Sequence, residues 1–63
     1  MAQKAEADLS GLLDRLKNAQ RDLLVTAAQG KTVPSDGMLR KISELEGVIA
    51  ATEALMQEEQ QRR

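Results

Sequence analysis

The chain contains no Cys, no His and no aromatic residue among its 63 positions. Without Cys it forms no disulfide and offers no thiolate nucleophile. Without His it lacks the commonest general base near neutral pH and the commonest side-chain ligand of metals. These absences exclude most catalytic and metal-dependent chemistry. We therefore expect a protein that is not an enzyme and that uses no cofactor and no metal.

The remaining groups that could take part in catalysis also have ordinary structural explanations. Ser10, Ser35 and Ser43 are the only serines, and none of them is followed three residues later by a Lys that could activate it. Neighbouring carboxylates such as Glu58 and Glu59 point to different faces of a helix, so they cannot act as a dyad. The sequence therefore predicts no catalytic residues.

Breaker residues are scarce and concentrated in one place. Two of the four Gly residues and the single Pro lie between Gly30 and Gly37, close to the middle of the chain. Gly30 suits the left-handed position just past a helix end, and Pro34 cannot continue that helix. Ser35 is a good helix N-cap, followed by Asp36 at the positive helix end. We expect two helices, at about 4–29 and 36–60, a loop at about 30–35 and a frayed C-terminal tail.

Apolar residues recur at alternating spacings of four and three in both halves, which is the pattern of amphipathic helices. In the first half the seam runs through Ala5, Leu9, Leu12, Leu16, Ala19 and Leu23, widened by Leu13 and Ala27. In the second half it runs through Met38, Ile42, Leu45, Ile49, Thr52 and Met56, widened by Leu39, Val48 and Leu55. Strand-like alternation is absent. The predicted fold is an all-α antiparallel two-helix hairpin that forms a single domain over residues 1–63.

The size of the chain favours self-association. Seventeen side chains are large and apolar, namely nine Leu, two Ile, three Val and three Met. A domain of this length removes only about 60% of its surface from water, so a single core leaves little net stability. Both apolar stripes are also wider than a two-helix seam needs. We expect a homodimer in the form of a four-helix bundle, held by Leu9, Leu12, Leu16, Leu23, Ile42, Leu45, Ile49 and Met56.

The charges are balanced and mixed along the chain. Nine Lys and Arg stand against ten Asp and Glu, which gives a formal net charge of −1. No basic stripe for a polyanion follows from this composition, so nucleic acid is a less favoured partner but stays open. No apolar run is long enough to span a membrane and no signal peptide is evident, so we expect a cytoplasmic protein without a membrane partner.

Two features could bind another protein. The last turns of helix 1 are apolar almost all round, because Leu24 and Val25 fall outside the seam. Either Val33 and Leu39 or a dimer mate covers this turn, or it anchors a partner. The second feature is a track of small residues on the back of helix 2, where Gly47, Ala51 and Ala54 allow either close packing or an ordinary exposed face.

The sequence therefore favours a small protein-binding regulator, inhibitor or adaptor that acts as a homo-oligomer through its apolar helix faces. Two other classes of function stay open. One is a helical-bundle regulator that binds RNA or DNA, and the other is a structural or assembly component. The sequence does not identify a partner protein.

Overall fold

The computed structural model describes residues 2–62 of the chain, which form two α-helices. Helix α1 spans Ala2–Gln29 and helix α2 spans Asp36–Gln61. Ala, Leu, Gln, Glu, Lys and Arg dominate both segments, and these residues lose little side-chain freedom in a helix. The two helices pack side by side as an antiparallel hairpin measuring 48 × 14 × 13 Å. The prediction of an all-α helical hairpin is confirmed.

The start of α2 follows the predicted chemistry. The Oγ of Ser35 accepts a hydrogen bond from the backbone N–H of Met38 at 3.2 Å, and Asp36 lies in the first turn. The Ser35 hydroxyl thereby satisfies one of the backbone donors that a helix N-terminus leaves without a partner.

The end of α1 differs from the prediction. No glycine in the described chain has a positive φ, so the expected left-handed conformation of Gly30 is wrong. Instead, the Gly30 N–H donates to the Ala27 carbonyl at 3.2 Å, which tightens the last turn of the helix. A six-residue loop reverses the chain gradually. A left-handed residue is therefore not needed to end the helix.

The core of the hairpin is thin. Among the described side chains only Ile49 and Thr52 are buried, with 5% and 6% of their surface exposed. The Thr52 hydroxyl donates to the Val48 carbonyl at 2.8 Å, so its polar group is satisfied within α2. The other predicted seam residues are only partly buried: Leu9, Leu12, Leu16, Leu23, Ile42, Leu45 and Met56. Two helices alone therefore cannot enclose the apolar residues of this chain.

One position of the α1 seam was predicted incorrectly. Ala19 is exposed, whereas the adjacent Gln20 is partly buried and donates to the Oε2 of Glu46 across the hairpin at 2.7 Å. Leu13 and Ala27 share the heptad position of Gln20, and both are also partly buried. The side of α1 that faces α2 therefore follows the row of Leu13, Gln20 and Ala27 more closely than the row of Ala5, Leu12 and Ala19.

Candidate interaction surfaces

One broad side of the hairpin, here called the polar face, consists of Lys17, Gln20, Glu46 and Glu53. The Nζ of Lys17 lies 3.3 Å from the Oε2 of Glu53, and Gln20 bonds to Glu46 as described above. Lys17 and Glu53 are both about half exposed, so their ion pair contributes between about 0 and 1 kcal/mol. These two links cross between the helices on this side of the hairpin.

The opposite side, here called the Val48 face, is apolar and consists of Leu12, Ala19, Leu23, Val48 and Leu55. Leu12 and Ala19 are seven residues apart, as are Val48 and Leu55, so each pair occupies one side of its helix. A shallow groove of about 300 Å³ crosses this face, lined by Leu23, Lys41, Glu44, Leu45 and Val48. Val48 and Leu55 are 47% and 44% exposed, although both belong to the apolar stripe of α2.

The apolar residues around the loop, here called the loop-end patch, are Leu24, Val25, Val33 and Leu39. Their side chains are between 44% and 80% exposed, with Val33 in the loop at the upper limit. Neither Val33 nor Leu39 covers the end of α1, so the interpretation in which they bury Leu24 and Val25 is wrong. Within one chain the patch remains open.

The four residues of the loop-end patch do not all face the same way. Leu24 lies one heptad beyond Lys17, and Leu39 one heptad before Glu46, so both extend the line of the polar face toward the loop. Val25 follows Leu24 and is therefore turned by about 100° toward the outer side of α1. The structure thus groups Leu24 with Leu39, and leaves Val25 and Val33 at the margins.

The small-residue track forms the outer side of α2. Gly47, Ala51 and Ala54 are all exposed, and a Cβ built on Gly47 meets no atom of the chain within 4 Å. Nothing within one chain makes use of the missing side chain at Gly47. Ala54 also borders a second open groove, which lies on the side of the polar face and includes Leu13 and Met56.

Metal-ligand clusters, membrane spans and enclosed pockets are the remaining features to consider in the described residues. No group of three or more Asp or Glu residues within the described part of the chain is placed to hold a metal ion. Across residues 2–62, neither helix is both long and apolar enough to cross a membrane. Both grooves are wide and shallow, whereas small-molecule sites enclose most of the ligand surface.

Sequence patterns gave only part of this description. They identified the apolar residues of the loop-end patch but not the links from Lys17 to Glu53 and from Gln20 to Glu46. Those links depend on the register between two helices that are far apart in sequence. The separation of an apolar side from a polar side was missed for the same reason. A comparison of heptad rows across both helices could have indicated it.

Comparison with known proteins found no family model, no curated protein and no solved structure that matches the chain.

Proposed function

We propose that this chain is a small non-enzymatic regulator, inhibitor or adaptor that acts as a homodimer and binds another protein through the loop-end patch. The observation that carries the proposal is the exposure of four large aliphatic side chains around one loop, in a chain whose described part buries only one apolar residue. A few large apolar side chains at the centre of a patch supply most of the energy of many protein interfaces.

The surroundings of the patch are those of a protein-binding site. Gln20 lies about one turn from Leu24 on α1, and its amide donates to Glu46 of α2 at 2.7 Å. An apolar centre with a polar rim is the usual arrangement of protein interfaces. The patch also lies at the end of the hairpin, where a partner can reach it without separating the two helices.

The proposal is tested by capture of partner proteins with the purified full-length chain as bait. We expect one protein to be captured at a fixed ratio, and the variant Leu24→Glu to lose it. A central apolar contact is worth about 2 kcal/mol or more, which corresponds to a loss of affinity of roughly thirtyfold. Asn18→Glu is a matched control, because it adds the same charge at an exposed position of α1 outside the patch.

Three outcomes would contradict the proposal. If Leu24→Glu retains the partner with unchanged affinity, the loop-end patch is not the binding site. If Leu24→Glu unfolds or dissociates the chain, Leu24 belongs to the core of the assembly. If the wild-type chain captures no protein, the chain is not a protein-binding regulator.

The two other classes of function predict different behaviour. A nucleic-acid-binding protein would shift RNA or DNA in a gel, and the shift would weaken steeply with added salt. A structural component would form species larger than a dimer as its concentration rises.

A further inference from the structure

We propose that a second copy of this chain covers the Val48 face, and that the two hairpins run antiparallel so that their loops lie at opposite ends of the dimer. This inference rests on the proposed homodimer and adds which face is buried and in which direction. It depends on three properties of the face: its area, the positions of its apolar residues and its charges.

The accessible surface area of the chain is large enough to include such an interface. The accessible surface is 4983 Å², whereas a compact protein of the same mass exposes roughly 4000 Å². The excess of roughly 1000 Å² is close to the ~800 Å² that each partner contributes to a standard interface. The Val48 face is an apolar side on which this area can be buried, whereas burial of the polar face would remove the Lys17–Glu53 ion pair and the Gln20–Glu46 hydrogen bond from water.

The positions of the apolar residues match a two-fold axis. The midpoint between Leu12 and Leu23 lies between Lys17 and Asn18, and the midpoint between Val48 and Leu55 lies between Ala51 and Thr52. These two levels lie within about one helical turn of each other, because Lys17 pairs with Glu53 and Gln20 with Glu46. One axis through this level, perpendicular to the helices, therefore pairs both sets at once. It places Leu12 opposite Leu23 of the second copy, and Val48 opposite Leu55 of the second copy.

The charges at the edge of the face favour the antiparallel direction. On α1, Arg15 and Asp22 are seven residues apart and border the row of Leu12 and Ala19. The same axis brings Arg15 of each copy within about one turn of Asp22 of the other, which gives two attractive pairs. In a parallel dimer α1 faces α2 of the second copy, and Asp22 lies within about one turn of both Glu44 and Lys41, so repulsion and attraction offset each other. Antiparallel packing thus adds two attractive pairs on α1 that parallel packing lacks.

The charges at the ends of α2 contribute little to the choice of direction. The same axis puts Lys41 level with Arg62 of the other copy and Glu44 level with Glu59, while the opposite charges, Lys41 with Glu59 and Glu44 with Arg62, lie about one turn apart. Within one chain, Arg62 already lies 3.6 Å from Glu59.

The antiparallel dimer leaves both loop-end patches uncovered, one at each end. It is therefore able to bind two partner molecules.

The direction is tested by the distance between the loops. The chain has no Cys, so Val33→Cys introduces a single thiol at a highly exposed loop position. With a nitroxide on that thiol, we expect double electron–electron resonance to give a distance close to the 48 Å length of the hairpin. A distance of ~25 Å or less would indicate parallel hairpins, and the absence of any dipolar interaction would indicate no dimer. Both results would overturn the proposal.

The face is tested by two variants that add the same charge on opposite sides of the hairpin. Val48 and Leu24 are 47% and 48% exposed, so glutamate at either position reaches water in the isolated hairpin. We expect Val48→Glu to weaken dimerisation at least tenfold in sedimentation equilibrium, and Leu24→Glu to leave it unchanged. The opposite ranking would contradict the assignment. If Val48→Glu does not fold, the loop-to-loop distance in the Val33→Cys chain still decides the proposal.

Failure here is distinguishable from failure of the proposed function. A dimer with a short loop-to-loop distance overturns the antiparallel arrangement but leaves partner capture through Leu24 intact. A dimer with a long distance that captures no protein supports the arrangement and removes the regulator function.

Discussion

At the scale of single residues, Ile49 should contribute more to the stability of the fold than any other apolar side chain, because it is the one that the described hairpin buries. Its place on α2 was predictable from apolar spacing alone. Its near-complete burial was not predictable, because burial depends on how much of each apolar stripe the other helix covers. Val48 and Ile49 are neighbours in sequence, yet one is about half exposed and the other buried.

Truncation of Ile49 should destabilise the fold strongly. We expect Ile49→Ala to cost between about 2 and 5 kcal/mol, because it removes buried methyl and methylene groups and leaves a cavity. That loss is comparable to the whole stability of a domain of this size, so helical circular dichroism at 222 nm should fall sharply at 25 °C. Val25→Ala is the matched control, since Val25 is 44% exposed. Equal loss of signal in both variants would contradict this account of the core.

Gly47 is a position where a single substitution should stabilise the chain. It lies in the middle of α2, and a Cβ there meets no atom of the chain within 4 Å. We expect Gly47→Ala to raise the free energy of unfolding by about 1 kcal/mol, because Ala is the better helix former. Urea denaturation measures this change. A loss of stability or of dimer would instead show that another helix packs closely against Gly47.

At the scale of elements, the fold was predictable where local chemistry decides it. Ser35 was identified as the N-cap of α2 because its hydroxyl is the type of group that accepts from a helix N-terminus. The conformation of Gly30 was not predictable in the same way. Glycine permits a left-handed turn but does not require one, and the six-residue loop reverses the chain without it.

The inward-facing side of α1 shows a second limit of prediction. Ala19 is more apolar than Gln20, so a pattern of hydrophobicity selects Ala19 for the seam. In the structure Gln20 faces α2, and its amide donates a hydrogen bond to the Glu46 carboxylate at 2.7 Å. Such a bond depends on the register between the two helices, which no single-helix pattern contains.

Removal of the cap tests the start of α2. We expect Ser35→Ala to lower the free energy of unfolding by about 1 kcal/mol, because the Met38 N–H loses its acceptor. Ser35→Asp should retain most of the stability, since its carboxylate can accept the same bond and interacts favourably with the helix dipole. Thermal denaturation followed by circular dichroism compares the three chains. Equal melting temperatures would show that the cap contributes nothing.

At the scale of the whole molecule, the hairpin has one side linked by polar groups and one side that remains apolar. Lys17 with Glu53 and Gln20 with Glu46 bridge the helices on the first side, whereas Val48 and Leu55 are about half exposed on the second. Sequence reasoning predicted that the apolar stripes exceed what two helices need. Which side keeps the excess became clear only from the structure. The loop-end patch is a separate exposed surface, so assembly and partner binding can occur together.

The central claim is that the apolar side chains of one hairpin are too many for its two helices to cover, so a second copy is needed for a stable fold. Sedimentation velocity over a dilution series, with circular dichroism on the same samples, tests it most directly. We predict a species of twice the chain mass at high concentration, and loss of helix together with loss of that species on dilution. A fully helical monomer at every concentration would contradict the claim.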